Sequence, residues 1–505
     1  MNFIRELVDD FVDFLESQPV WSLIYFSVFY LGCTLTVSKT KQFWYDELFT
    51  YHMSRLPDWK TLLAALKAGA DLNPPPIYFL TRLSHSVFGT GEVASRLPAT
   101  LGFLLMLLCL YQFLARRTGR AIAFGSIFIP LLSGAYRWAT EARTYGVVLG
   151  LAAVAAMFWQ VSSEPGRHGF RARVGLALSL VAAVSTQAYG VMSVGPFLLA
   201  ELVRYWKTRE ARWPIWIAIV APISALVLYI PLLPAHNEVK LDNPIFRPDS
   251  DSLSKFFHML LDPVVLPFAV FVGVCFWLGN GDSMEEESQT SIPAEEIALA
   301  VGFLLVPAAA VITALAVTRV FLDRYGLAAV IGCTMITGFL LSKSGHRRAP
   351  SALAIVFGIW FVSGVIHVPV VASATASQVR QVKLEDIRPE LPLVVTNGLW
   401  YLPMSYYSVP PLSNRITYLL SHESALQFTG SDVFEVGFPI LKHWYSIQGN
   451  IVGYEEFMAK KQPFLIYGPT PFPLDWLAKK LLADGAKVRI VEMLPEAFVC
   501  EVTPP

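Results

Sequence analysis

The sequence predicts an α-helical polytopic membrane protein with about eleven transmembrane helices, interfacial helices in its first outer loop, and a small C-terminal α/β soluble domain. Three observations carry this reading. First, 54% of the 505 residues are hydrophobic and only 15% are charged, with a mean hydropathy of +0.50, where an average soluble domain carries about 25% charge. Second, the apolar residues fall in blocks of about 17 to 22 separated by short polar loops, the length a helix needs to cross the hydrocarbon core. Third, from about residue 375 the composition becomes that of a soluble domain. An ordinary cytosolic enzyme is excluded. Lys+Arg and Asp+Glu are 39 each, so the net charge is zero and no basic excess exists to bind nucleic acid. Of the five cysteines, Cys33, Cys109, Cys275, Cys333 and Cys500, four lie in apolar blocks and none is spaced as CxxC or a disulfide ladder; they read as packing residues.

The first apolar block, about 21 to 38, follows the acidic amphipathic stretch RELVDDFVDFLES and has neither a basic n-region nor a small-residue cleavage site. It reads as a retained span and not a removable signal peptide. Further blocks run at about 97 to 115, 121 to 135, 145 to 161, 213 to 233, 259 to 279, 297 to 317, 325 to 342 and 350 to 371. The stretch from Val174 to about Trp206 is too long for one span and is flanked by the basic segments RHGFRAR and RYWKTREAR. Basic loops prefer the cytoplasm, so both ends belong inside and the stretch forms a hairpin turning near Gln187, Tyr189 and Gly190. Short loops placed inside then carry 13 Lys and Arg against 7 outside, with the N-terminus inside and the C-terminal tail outside. The acidic loop GNGDSMEEESQTSIPAEE runs against this census, but acidic residues weigh little in the rule.

The chain divides into a membrane domain, 1–374, and an extracytoplasmic domain, 375–505. In the latter, the β-type runs LPLVVTN, RITYLL, PFLIYG, KVRIVEM and FVCEV alternate with helical patterns such as PLDWLAKKLLADG, which predicts a small α/β sheet. It has no GxGxxG and no P-loop.

Polar residues that hydrophobicity does not explain gather at the outer loops. Asp46 and Glu47 follow the aromatic triplet Phe43, Trp44, Tyr45 at the exit of the first span. Adjacent acids there are either a solvated interfacial pair or carboxylates that take a proton from an acceptor hydroxyl or hold a cation. The amphipathic LPDWKTLLAALKAGA then lies flat on the membrane. Asp71, Asn73 and Pro74 to Pro76 end it in a rigid turn before a second interfacial segment, IYFLTRLSHSVFG. In YRWATEARTYG, Glu141, Arg143 and Tyr145 lie within about one helical turn. They form either a local Glu/Arg cap or an anion site, for which the guanidinium fork suits phosphate. TRVFLDRYG repeats the chemistry with Arg319, Asp323, Arg324 and Tyr325. The loop PAHNEVKLDNPIFRPDSDSLSKFFH adds His236, Glu238, Lys240 and His258. It lacks HExxH-type metal spacing and reads as a lid.

These motifs, FWYDELFTYH, D-x-N-P-P-x-x-Y, G-x-x-E-x-x-x-R-L-P, E-A-R-x-Y and LDRYG in this order, resemble the GT-C superfamily of integral-membrane glycosyltransferases. The resemblance is to the branch of protein O-mannosyltransferases, lipid A aminoarabinose transferases and lipopolysaccharide-core galacturonosyltransferases. It covers about residues 20 to 370, its specific motifs concentrated between 43 and 145. It implies a monosaccharide moved from a polyprenyl-phosphate carrier, with inversion, to a glycan, lipid or protein acceptor on the outer face of the cytoplasmic membrane. By resemblance Asp46 is the catalytic aspartate, Glu47 its acidic partner and Asp71 the second acid of the loop. Arg143 and Arg324 hold the lipid phosphate, accompanied by Tyr145 and Tyr325. Many relatives have His where this chain has Asn73, and a His-x-Tyr pair where it has Gln187 and Tyr189. Glu141 and His236 complete the candidates. No cofactor is assigned, and a divalent metal is left open. The alternative is a transporter or flippase of a lipid-linked saccharide. Transporters show internal repeats and midplane charges, whereas this sequence shows no repeat and places its charges at loop boundaries.

Overall fold

The structure, a computed structural model, describes residues 2–163, 169–232, 246–279, 291–376, 384, 386–470, 475–494 and 497–505. The chain forms two compact units. One comprises Met1–Lys39, Asn73–Ile230 and Phe246–His367; the other comprises Thr40–Leu72, Pro231–Ile245 and Val368–Pro505.

The first unit is helical. Seven described helices are long and apolar enough to cross a membrane: Pro19–Thr40, Glu92–Thr118, Tyr145–Ser163, Gly169–Thr186, Trp213–Ile230, Ser252–Leu278 and Ala349–His367. An eighth is counted if Ala294–Leu304 and Val306–Thr318, bent by 45° at their junction, form one span. The other three expected spans are helical but short: Arg120–Leu132, Val194–Thr208 and Ala329–Ser344. At 1.5 Å per residue, helices of this length fall short of a bilayer's roughly 30 Å hydrocarbon core. The polytopic membrane architecture therefore holds, with seven or eight full-length spans among the described residues. The long apolar stretch is broken at Gln187, where Gly169–Thr186 gives way to a 3₁₀ turn over Ala188–Ser193 before Val194–Thr208.

The helices Glu92–Thr118 and Tyr145–Ser163 pack in close contact, and small residues make it possible. A Cβ on Gly102 would lie 2.6 Å from the Gly146 carbonyl oxygen, and one on Gly150 would lie 2.3 Å from that of Gly102. Spaced four apart, Gly146 and Gly150 let the two backbones touch. Away from such contacts, Val20, Ile24 and Val28 stay exposed along one face of the first span, the face suited to lipid.

The acidic N-terminal helix Asn2–Ser17 is spent on the basic loops. Both carboxylate oxygens of Asp9 accept from Arg348, at 2.9 and 2.7 Å, Asp13 pairs with Arg347 at 2.8 Å, and Glu16 accepts from the Ala121 N–H at 2.8 Å. The Arg348 guanidinium holds the Asp9 carboxyl below its ordinary value.

The second unit is built on a six-stranded sheet in the order β3-β2-β1-β4-β6-β5. The strands are β1 (Leu393–Val395), β2 (Ile416–Leu420), β3 (Asn450–Gly453), β4 (Phe464–Pro469), β5 (Lys487–Leu494) and β6 (Ala497–Thr503). β1 to β4 run parallel, while β5 and β6 pair antiparallel. Val394, Phe464, Ile466, Trp476, Leu481 and Val502 share its core. Residues 40–72 fold with this unit as the helices Tyr45–Ser54 and Trp59–Lys67. The compact units therefore do not follow a single cut of the sequence near residue 375, because the first outer loop is shared between them. Its second half, the helix Pro76–Phe88, belongs to the helical unit, with Phe79, Leu83 and Val87 exposed at helical spacing.

Candidate functional site

In the second unit the carboxylates sit at two helix boundaries. Trp44, in extended backbone, precedes the Tyr45–Ser54 helix, which brings Asp46 and Glu47 into its first turn, where anions suit the helix dipole. Glu47 is fully buried, and its Oε2 accepts from the Trp44 N–H at 3.2 Å. Asp46 beside it is half-buried. The second helix is capped by Asp58, whose carboxylate accepts from the Thr61 N–H at 2.8 Å. It ends in the turn that carries Asp71, whose Oδ1 accepts from the Leu72 N–H at 2.6 Å. Asp71 is 8% exposed.

Tyr45 links the acids. Its ring is held edge-on by Phe49 at 4.9 Å and Phe434 at 5.8 Å. Burial, followed by the charges of Asp46, Asp71 and Glu435, pushes its phenol far above the ordinary tyrosine value, so it keeps its proton among carboxylates. Glu435 is itself buried, accepting from Trp476 Nε1 at 2.7 Å and Tyr418 Oη at 3.2 Å, and burial raises its carboxyl. Nearby, burial and then Arg55 depress His52 to about 4.

In the helical unit, the ends of four segments meet in a small, partly open cleft. Its rim includes Tyr145, Gln187, Tyr189, Arg324 and Tyr325, and its floor is apolar, with Val148, Leu149, Ala152, Val306, Leu327 and Ala328. The rim is tied together. Gln187 Nε2 donates to Tyr145 Oη at 3.3 Å, and its Oε1 accepts from the Ala188 N–H at 2.8 Å. The Tyr189 and Tyr325 rings stack at 3.7 Å and 5°, with Tyr189 Oη 2.9 Å from Thr318 Oγ1. The Arg324 guanidinium lies over the Tyr145 ring, 5.8 Å from its centroid. Burial raises the phenols of Tyr189 and Tyr325, so both remain hydrogen-bond donors. A cation, protonated phenols and an amide above an apolar floor suit an amphiphile with an anionic head.

Five of the residues singled out from sequence thus share this cleft. Arg143, 7% exposed, and Glu141 lie just before Tyr145 and outside the cleft lining. Glu141 is fully buried and accepts from Arg137 Nε at 2.6 Å. Arg137 is among the basic residues of the outer loops, and its i,i+4 spacing to Glu141 is the sequence signal that links the two. Asn73 is buried, and its backbone carbonyl accepts from Tyr78 Oη at 3.2 Å. Arg96 of the G-x-x-E-x-x-x-R-L-P motif is completely buried and donates to the Ser38 carbonyl at 2.6 Å. His236, with Glu238 and Lys240, lies outside the described residues. Among the described residues, no three His, Cys, Asp or Glu side chains are grouped to hold a metal ion.

The sequence matches no protein-family model and no curated protein. Solved structures are similar. ArnT from Cupriavidus metallidurans in the apo state superposes with a TM-score of 0.58 at 14% identity, over 95% of this chain and 97% of that one. The same protein bound to undecaprenyl phosphate gives a TM-score of 0.56 at 13% identity, over 96% and 98%. Coverage of this extent takes in residues of both units.

Proposed function

We propose, from the fold that the chain shares with ArnT, that it is an integral-membrane glycosyltransferase of the GT-C type. It transfers a monosaccharide from a polyprenyl-phosphate donor to an envelope acceptor on the outer face of the cytoplasmic membrane, with inversion. The cleft of the helical unit carries this reading. Its apolar floor suits an isoprenoid chain, and Arg324, Tyr145 and Tyr325 at its rim suit the phosphate. The ArnT structure holding undecaprenyl phosphate supports the same ligand class here.

In this reading Arg143 shares the phosphate charge with Arg324, while Gln187, Tyr189 and Glu141 hold the rim in shape. Asp46 is the base. The acceptor oxygen attacks the anomeric carbon on the side opposite the phosphate. A new C–O bond forms, the bond to the phosphate oxygen breaks with its electron pair, and the acceptor proton passes to Asp46. One in-line displacement inverts the centre. The arginines stabilise the charge that grows on the departing phosphate, and Asp71 assists from its turn. Glu47, whose oxygen closes the first helical turn, orients Asp46, and Asn73 positions the start of the following helix.

Undecaprenyl phosphate binding tests the cleft assignment. Arg324→Ala should weaken binding by ten- to a hundredfold, matching a charge-assisted hydrogen-bond loss of roughly 1.5–3 kcal/mol, and should leave binding of undecaprenol, which lacks the phosphate, within twofold. Arg324→Lys should fall between, because an ammonium lacks the guanidinium fork. Equal affinity for alcohol and phosphate in the wild type would sink the assignment.

A further inference from the structure

We propose that the C-terminal sheet domain is part of the catalytic machinery, and that Tyr445 is the positioning residue through which it sets Asp71. The inference rests on the proposed transferase reading and concerns residues of the second unit alone.

A single helix of the sheet domain, Val433–Trp444, reaches both acid-bearing segments. At its N-terminal end, Phe434 packs edge-on against Tyr45, the residue before Asp46, with centroids 5.8 Å apart. There Glu435, anchored by Trp476 and Tyr418, adds its charge to those acting on Tyr45. At its C-terminal end, the capping residue Tyr445 is buried, and its hydroxyl donates to the Ala70 carbonyl at 2.8 Å. Ala70 is the residue before Asp71, so this bond fixes the turn on which the carboxylate stands. The Tyr445 ring also stacks on His52 at 4.8 Å and 13° and meets Phe49 at 6.1 Å, gripping the helix that begins with Tyr45 and Asp46. An earlier helix of the domain, Gly398–Tyr407, adds to the grip: the Phe43 N–H donates to Tyr407 Oη at 2.7 Å, and Tyr51 meets Tyr406 at 5.2 Å.

The Ala70 bond stands out because it is buried and joins positions 375 residues apart. A turn that only had to be covered would be served by apolar packing. A tyrosine that ends in one directed hydrogen bond to the backbone beside a carboxylate fixes that carboxylate's direction as well as its burial. Small misplacements of a reacting group are costly in rate, so a domain that holds both segments from one rigid helix is a means of setting the acids.

Tyr445→Phe removes this hydroxyl and keeps the ring contacts. In full-length protein, amide exchange over residues 70–72 should rise at least tenfold, with β4 amides unchanged. Turnover of a panel of undecaprenyl-phosphate monosaccharides should fall at least tenfold, with undecaprenyl phosphate affinity within twofold of wild type. Added to Asp71→Asn, Tyr445→Phe should cost less than a further twofold, because both changes act on the same group. Unchanged exchange at 70–72, or losses that multiply in the double variant, would overturn the proposal. If wild type turns over no donor of the panel, the transferase reading fails, and the exchange measurement still decides whether Tyr445 holds the turn.

Discussion

Arg324 stands beside three phenols, Tyr145, Tyr189 and Tyr325, and burial keeps the protons of the last two in place. Tyr145, Gln187, Tyr189, Arg324 and Tyr325 were visible because polar residues at span ends are expensive in a lipid setting, and they share one rim. The floor beneath them was not visible, since Val148, Leu149 and Ala152 are the residues any packed span would use. The sequence sets Glu141 beside Arg143, and the structure adds its ion pair with Arg137. His52 gives a test at this scale. Its folded value of about 4 lies below the unfolded value of about 6.5, so the folded state refuses a proton that the unfolded state accepts. The contribution is fully present above pH 6.5 and is lost as pH falls toward 4, at an upper bound of roughly 3 kcal/mol. Thermal melts from pH 7 to 4 should therefore slope downward in wild type and less steeply in His52→Phe; parallel slopes would contradict the burial of His52.

At the scale of elements, periodicity and length located helices well and judged their membrane reach less well. All eleven expected spans contain helix, yet Arg120–Leu132 and Ala329–Ser344 are too short to cross on their own, because hydropathy blocks run on through the turns that end a helix. In the sheet domain, five strands were legible as β-type runs. β3 was missed because Asn450–Gly453 lies at the sheet edge and has only Ile451 and Val452 as apolar residues, flanked by Asn450 and Gly453. Helix contacts made by glycine left no hydrophobic signal at all. Gly150 faces the Gly102 carbonyl closely enough that a Cβ would approach to 2.3 Å. Gly150→Leu must therefore force the two helices apart, and overpacking of this kind typically costs about 1–3 kcal/mol or more. Unfolding in detergent should show the loss, whereas the same substitution at Gly364, where nothing lies within 4 Å, should be nearly neutral. Equal effects at both positions would contradict the close-packing account.

For the whole molecule, the zero net charge conceals an ordered arrangement. Basic residues that the sequence assigned to inner loops, Arg347 and Arg348, are matched by Asp13 and Asp9 of the N-terminal helix, which gives that acidic stretch a role its own pattern did not reveal. The outer-loop residues separate into two groups. Arg324 and the tyrosines belong to the helical unit, while Asp46, Glu47 and Asp71 fold with the C-terminal sheet domain. No sequence pattern marks that allegiance, because it rests on long-range contacts such as Tyr445 to Ala70 and Tyr407 to Phe43. In the proposed reaction the helical unit holds a lipid-linked sugar and the acids act in its transfer. The most direct test incubates purified wild-type and Asp46→Asn protein with undecaprenyl-phosphate monosaccharides labelled in the sugar, together with an envelope fraction. Wild type should move label to the acceptor and release undecaprenyl phosphate in equal amount; Asp46→Asn should bind undecaprenyl phosphate with unchanged affinity and release less than a hundredth as much. Wild-type protein that leaves every donor intact, or an Asp46→Asn variant that turns over at the wild-type rate, would contradict the account.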